Sequence, residues 1–581
     1  MLKTFASLLP YLRRYAWWYF AGLLCLLLTN AGQIQFPQWL KQAVNAIASG
    51  HPDVVQVSGL MMGMATTALV IALGRVGWRV FIIGAARRIE KELRQELVDH
   101  LLSMPASWFA GQRIGDLMAR ATNDIEAVRM AIGMVLVALT DAVTISGAIL
   151  VFLLIQNPVL GLIIVSPLPV ITVLIVVFGG KVGVLFKKVQ EEYSSLSTFA
   201  QENLAGSRVV KAFVQEASVD ARFRRANQAY LDANMELVKL WGFFFPIISA
   251  LSGLSALFLL YWGGQDVMSG KLSPGDFTAY LSYLGMLIWP LMGAGMVVNW
   301  LQRGAASLVR LREVLDTKPA IVAEGDLPRP ASFELEFRNL SFAYSPQGPA
   351  VLKNLSLTIP EGQFVGVLGR VGSGKTTLAA LLPRTFDPPA GTVFLGGQDI
   401  RNYRLEDLRS CFSVVPQSTF LFSDTIRNNI AFARPETPDD RLRVLAELST
   451  ISRDIEALSQ GWDTEVGERG VTLSGGQKQR LSLSRALNVD APILLLDDAL
   501  SAVDLDTEEK IIDHLKATRF GKTNLLISHR VATLRHCDVV LVLDQGRIVD
   551  FGTHAQLMTR EGFYAETARL QHVEAPAGGL P

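Results

Sequence analysis

At 581 residues, 50% of them hydrophobic, and with a mean hydropathy of +0.31, the chain is too long for one core and too apolar for a wholly water-soluble protein. Its formal net charge of +1 supplies no global basic face, which argues against nucleic acid as a partner. Three cysteines, Cys25, Cys411 and Cys537, lie far apart, so neither a disulfide framework nor a zinc spacing is visible.

The N-terminus carries Lys3, Arg13 and Arg14 ahead of a long apolar run with no small-residue cleavage site after it, so it reads as a retained first span. A span needs about 20 apolar residues. Such stretches fall near 17–37, 57–83, 131–155, 159–179, 241–263 and 277–300, which predicts six spans. Between spans two and three lie Arg87, Arg88, Lys91 and Arg94, and between spans four and five Lys187, Lys188 and Lys211. These basic segments belong in the cytoplasm. The connection Gln156-Asn157-Pro158 has no charge, and the loop after span five holds only Asp266, Lys271 and Asp276, so both belong outside. The N-terminus and everything after span six are then cytoplasmic.

Both basic segments keep helical periodicity beyond the bilayer, as in 89–98, with Glu and Arg interleaved on an exposed face. The stretches Gly115–Asp124 and Gln201–Gly206 at their turns read as docking elbows. Arg75 and Arg79, one turn apart late in span two, suit snorkelling to the interface. Asp141, deeper in span three, fits either a water-filled cavity that attracts a cationic substrate or a bond to Thr140 or Thr144. Pro167, Pro169, Pro246 and Pro290 predict kinks in spans four to six.

After residue 315 the composition changes, and Pro319, Pro328 and Pro330 mark a linker. A half-exposed strand is predicted at Phe333–Phe337. The run Gly369-Arg370-Val371-Gly372-Ser373-Gly374-Lys375-Thr376 fits the phosphate-loop pattern, with an apolar strand at 364–368 before it and helix-forming residues after it. In that setting the glycines let backbone N–H groups close on a polyphosphate, Lys375 reaches the terminal phosphates and Thr376 ligates Mg²⁺. Pro492–Asp498 is an apolar strand ending in two carboxylates, and Asp497 is the candidate to deliver an acid to Mg²⁺. Between them Leu473-Ser474-Gly475-Gly476-Gln477 opens a second helix whose free N–H groups also suit phosphate. One nucleotide rarely needs both helix starts from the same chain, which suggests a dimer.

This combination resembles an ATP-binding cassette exporter half-transporter over nearly the whole chain. The resemblance implies a type I exporter (type IV transporter) fold: an α-helical six-span membrane domain over 1–312, a linker over 313–332, an α/β P-loop ATPase domain over 333–575 and a tail over 576–581. It also implies ATP and Mg²⁺ as cofactors, held between one subunit's phosphate loop, from Gly369 to Thr376 with Thr377, and the other's Ser474, Gly475, Gly476 and Gln477. Tyr344 would stack on adenine, Gln417 would sense Mg²⁺ and the membrane domain, and His529 would contact the terminal phosphate. Ser501–Asp504 resembles the loop that signals between the two sites, and Thr464–Gly470 the segment that meets the partner's elbow.

The chain departs from the family in one place. Asp498 stands where a glutamate usually polarises the attacking water, and its carboxylate is withdrawn by about an ångström, enough to cost around a hundredfold in rate. With the tract Gly285–Leu291, this pattern resembles the asymmetric subunit of heterodimeric multidrug-type exporters. The expected partners are therefore a second half-transporter, the lipid bilayer and a hydrophobic or amphipathic small molecule, and the expected location is a bacterial inner or plasma membrane. A homodimer in which Asp498 still works, export of a lipid or peptide, and an ATP-sensing regulatory subunit that moves nothing are the alternatives.

Overall fold

The computed structural model describes residues 2–49, 54–321, 325–345, 347–467 and 473–574. It divides into two units, Met1–Ser103 with Arg113–Lys318, and Met104–Gln112 with Pro319–Pro581.

The first unit is helical. Among the described residues, five helical runs are long and apolar enough to cross a membrane: Ala16–Ala48, Val54–Ser103, Ile114–Gln156, Pro158–Ala205 and Glu216–Met268. The sixth expected span is one continuous helix, Pro274–Leu315, but several side chains between residues 288 and 295 lie outside those described, and it is not among the five. This helix also runs through residues 313–315, assigned above to the linker. Leu69, Leu73 and Val76 point outward, as a lipid-facing surface requires. Pro246 and Pro290 sit inside unbroken helices. The real break is at Ser166, where Pro167 takes the first position of a new helix, a place that has no N–H to lose.

Glu90 corrects the expectation of an exposed charged face. It is buried, pairs with Arg87 at 3.0 Å and Arg94 at 2.8 Å on its own helix, and lies 3.1 Å from Arg129 of the helix Ile125–Gln156. A carboxylate out of water needs such donors around it. Asp141 bonds neither suggested threonine: Asn30 Nδ2 donates to its Oδ1 at 2.9 Å and also to Thr144 Oγ1 at 2.7 Å. Arg75 and Arg79 are exposed, and the Arg79 guanidinium lies 5.4 Å from the Trp78 ring centroid.

The first elbow is also corrected. Residues Ile114–Asp124 are helical and belong to the first unit, where Arg310 pairs with Asp116 at 2.6 Å and Ser307 Oγ donates to Asp124 at 2.8 Å. The stretch grouped with the second unit is Met104–Gln112, whose Met104, Pro105 and Ala106 share a groove with Pro383, Arg409, Phe412 and Val414. Hydropathy and charge do not separate these neighbouring turns. In the second hairpin, residues 201–205 finish a helix and the tip is the short helix Ser207–Ala212.

The second unit holds two sheets. β1 (Leu335–Phe342), β2 (Leu352–Ile359), β4 (Val393–Leu395) and β5 (Gln398–Asp399) form an antiparallel sheet in the order β2-β1-β4-β5. β3 (Phe364–Gly369), β6 (Phe412–Val415), β7 (Ile493–Asp497), β8 (Thr523–Ile527), β9 (Val539–Asp544) and β10 (Arg547–Gly552) form the other, in the order β10-β9-β3-β8-β7-β6. All its pairings are parallel except β10 with β9. β3, β7 and β8 are buried at every residue, which explains their unbroken apolar runs. The predicted opening strand starts two residues later, at Leu335, and continues to Phe342.

Gly304 marks a close crossing between the helices Pro274–Leu315 and Ile125–Gln156: a Cβ there would lie 2.4 Å from Ala131 Cβ. At Gly242 a Cβ would meet nothing within 4 Å. Gly304→Val is therefore expected to cost about 1–3 kcal/mol by overpacking, whereas Gly242→Ala is expected to be neutral or to stabilise by about 0.5–1 kcal/mol. Thermal unfolding of the two variants in detergent checks the contrast.

Candidate functional site

β3 runs between β8 and β9 and delivers the chain to the phosphate loop at the sheet's C-terminal edge. Gly372 and Gly374 take φ of 81° and 100°, left-handed values that disfavour any side chain. Gly369 is needed for approach instead, since a Cβ would lie 2.3 Å from Leu543 O. The loop then opens the helix Lys375–Leu381. Lys375 is buried, and its Nζ donates to Gly369 O at 2.8 Å and Arg370 O at 2.9 Å. Burial lowers its pKa, while Asp497 and Asp498 act against that shift.

Ser373 Oγ is buried without a hydrogen-bond partner. A buried hydroxyl left unpaired is costly, and a phosphate oxygen would satisfy it. With the helix N–H groups and Lys375, it makes the loop fit a polyphosphate.

Thr376 Oγ1 donates to Asp497 Oδ1 at 3.1 Å, so the two expected Mg²⁺ ligands already touch. Asp497 ends β7 and is buried. Burial raises its pKa and Asp498 adds to the rise, against Thr376, Lys375 and His529. Asp498 lies just past the strand with φ 49°, and its N–H donates to Ile527 O at 3.0 Å. Register brings the other groups alongside. Asp497 pairs with Ile527, two residues before His529, and Val415 pairs with Leu496, two residues before Gln417. Gln417 is exposed in the loop after β6. Tyr344 is 52% exposed, its hydroxyl is 2.8 Å from Thr377 Oγ1, and its ring leans edge-on against Phe386. Its open face leaves room for a stacked base.

Ser474 to Gln477 sit apart from this group. Ser474 caps the helix Gly475–Val489 in a capping box with Gln477, and Gln477 Nε2 donates to Asp454 at 2.8 Å. Among the described residues neither bonds to the phosphate loop. A Cβ on Gly476 would lie 2.8 Å from Ala502 O, so this glycine admits the loop Ser501–Asp504. Of the expected partner-facing segment, Glu468, Arg469 and Gly470 lie outside the described residues.

Three linking residues carried no motif that assigns them a role. Gln479 accepts from Ala502 N–H at 2.9 Å and donates to Ser501 Oγ at 3.0 Å, which ties the second helix start to the loop after β7. Arg530 donates to Val503 O at 2.9 Å and Ser501 O at 3.0 Å, which ties that loop to the residue after His529. Its other partner is Glu508, a buried carboxylate.

Known proteins resemble the chain along both of its regions. The profile of the ABC transporter transmembrane region matches residues 19–291, and that of the ABC transporter ATPase region matches residues 352–501. The multidrug resistance-like ATP-binding protein MdlA of Escherichia coli (strain K12) is 35% identical over 100% of this chain and 98% of its own length. The chain belongs to the ABC transporter family. A probable multidrug resistance ABC transporter ATP-binding/permease protein of Bacillus subtilis (strain 168), YheI, is 34% identical over 97% of each chain. An ATP-dependent lipid A-core flippase of Aromatoleum aromaticum is 34% identical over 99% of this chain and 97% of its own. Among solved structures, a bacterial Atm1-family ABC exporter with ATP bound superposes with a TM-score of 0.76 at 28% identity, covering 96% of this chain and 98% of that one.

This ABC transporter is thus an integral inner-membrane protein whose cytoplasmic ATPase domain couples hydrolysis of Mg·ATP to transport. Thr376 and Asp497, already in contact, are the residues that would hold Mg²⁺, and the ion would supply charge neutralisation at the transferring phosphoryl group. The chain itself would supply the donors for the phosphates, Lys375, Ser373 and the helix-start N–H groups, at the edge of the parallel sheet.

Replacing Lys375 by Ala is expected to weaken binding of Mg·ATP at this loop by about tenfold or more, since a charge-assisted phosphate contact is lost. Because the Asp497 pKa is raised, that carboxyl takes up its proton at a higher pH than an ordinary aspartate. Mg²⁺ needs the ionised form, so affinity for Mg·ATP is expected to start falling above the usual carboxylate range as pH drops. Fluorescent-nucleotide titrations across pH check this, with Asp497→Asn expected to flatten the profile.

Proposed function

We propose that this chain is half of a dimeric six-span exporter that moves hydrophobic or amphipathic compounds outward, with each ATP shared between one subunit's phosphate loop and the other's Ser474–Gln477. The observation that carries the dimer is the separation of two phosphate-binding helix starts within one ATPase domain. Ser474 and Gln477 are bonded to each other and Gln477 also to Asp454, and among the described residues neither bonds to the loop that holds Lys375. An apolar surface supports the same assembly. At the tip of the second cytoplasmic hairpin, Leu204, Val209 and Phe213 are 75%, 61% and 71% exposed, an apolar cluster in a segment beyond the bilayer and a fitting contact for the partner's ATPase domain.

ATP-driven closure of two ATPase domains then moves the membrane helices, and hydrolysis resets them, because nucleotide favours the closed pair over the open one. The substrate class follows from the spans, which present mainly Leu, Val, Phe and Met with few charges. The multidrug-named relatives support small amphiphiles. The flippase relatives favour a second reading, export of a lipid. Proteoliposomes separate the two: dye efflux without lipid translocation supports the first, and lipid translocation without efflux supports the second.

We further propose that the site on this chain's own phosphate loop is the slow one of a heterodimer. Its support is Asp498, whose carboxylate reaches less far than a glutamate's. Aspartate also tolerates the left-handed φ of 49° better than glutamate does, so backbone and side chain trade against each other here. Asp498→Glu is expected to raise ATP turnover of the assembled transporter by up to about twofold, as a second site joins the one that already turns over. An unchanged rate counts against the slow-site reading. Cysteine crosslinks beside Ser474 should capture a second subunit when Mg·ATP is added, and their absence counts against the shared site.

A further inference from the structure

His529 is the residue through which the terminal phosphate would be sensed, yet among the described residues its imidazole has no hydrogen-bond partner. What holds it is the backbone on either side. Ser528 N–H donates to Val367 O of β3 at 3.3 Å, and Arg530 N–H donates to Ser528 Oγ at 3.1 Å. From the far end of the chain comes a third support. Gln571, on the helix Phe563–Glu574, donates from Nε2 to His529 O at 2.7 Å and accepts at Oε1 from Val531 N–H at 2.7 Å. One amide side chain thus spans the peptide groups on both sides of Arg530.

The helix does not need this bridge to stay in place. Tyr564 and Ala568 are each 2% exposed in the core that includes Leu534 and Leu557, and the Tyr564 hydroxyl is 2.7 Å from His554 Nδ1. Apolar burial anchors the helix and leaves the two amide bonds free for another purpose. In the short loop between β8 and the helix Val531–Leu534 the other bonds hold Ser528 and Arg530, and the His529 carbonyl is held by Gln571. Misplacing a phosphate-sensing group by about an ångström costs orders of magnitude in rate, so a rigid support matters here.

We propose that Gln571 is a positioning residue for His529, bridging the backbone around it so that the imidazole meets the terminal phosphate. The inference rests on the reading of His529 as that phosphate contact. Arg530 reaches the loop Ser501–Val503 from the same segment, so His529 is held between two restraints, one from the loop after β7 and one from the C-terminal helix.

The test uses the full-length chain purified without a second half-transporter in nanodiscs, so that every ATP site carries this chain's own His529, and measures ATP turnover. Gln571→Met keeps the length and removes both bonds; it is expected to lower kcat about tenfold while KM for ATP stays within about twofold. Gln571→Glu keeps the acceptor for Val531 N–H and loses the donor, and is expected to recover part of that loss. In a His529→Ala background, Gln571→Met is expected to change nothing further, because the two act as one unit. Wild-type kcat in Gln571→Met beside a damaged His529→Ala overturns the positioning role alone. An additive loss in the double variant, or a loss matched by a lower unfolding temperature, also overturns it. Undiminished turnover in His529→Ala overturns the reading of His529 and the positioning with it.

Discussion

The parallel hydrogen-bond register of the large sheet is the constraint on which the site depends. Val367 on β3 pairs with Ile527 on β8, Ile527 with Asp497 on β7, and Leu496 with Val415 on β6. Parallel strands end on the same side, so the phosphate loop, Asp497, His529 and Gln417 leave the sheet along one edge although they come from places far apart in the chain. A slip of one residue would turn side chains to the opposite face and separate Thr376 from Asp497. The buried apolar runs of β3, β7 and β8 make such a slip costly, which is how residues with no chemistry of their own hold the chemical ones in place.

From that edge the structure spreads through few, directional bonds. Gln479 connects the second helix start to Ser501 and Ala502, and Arg530 connects Ser501 and Val503 to the segment of His529. These bonds tie the start of the helix Gly475–Val489, the loop after β7 and the segment of His529 into one connected set. The Glu90 cluster has the same character in the membrane unit, where three arginines from two helices converge on one buried carboxylate.

Much of the site was legible because its residues sit in local patterns. The glycines of the phosphate loop are required by left-handed backbone at Gly372 and Gly374 and by close approach at Gly369, and each is visible as a spacing. Apolar runs long enough to cross a bilayer are equally local, and five of the expected spans coincide with helices of that kind. Where the reading went astray, the deciding contact was remote. The stretch at 115–124 looked like a docking turn, but Arg310 and Ser307, almost two hundred residues away, hold it within the membrane unit. For Asp141, of the two readings, a water-filled cavity or a bond to Thr140 or Thr144, the structure replaces the second: its hydrogen-bond partner is Asn30 on another helix. No periodicity in 89–98 marks Glu90 as the one acid turned toward Arg129.

By itself the sequence determined the two-part organisation, the nucleotide chemistry and the residue types at each phosphate contact, since glycine backbone freedom, apolar run length and helix-start composition are properties of adjacent residues. Only the tertiary structure decided which polar groups meet across elements: Thr376 with Asp497, Asn30 with Asp141, Gln571 with the backbone around His529. Such pairs depend on strand register and helix packing, and these are set by the burial of many apolar side chains at once rather than by any short run of residues.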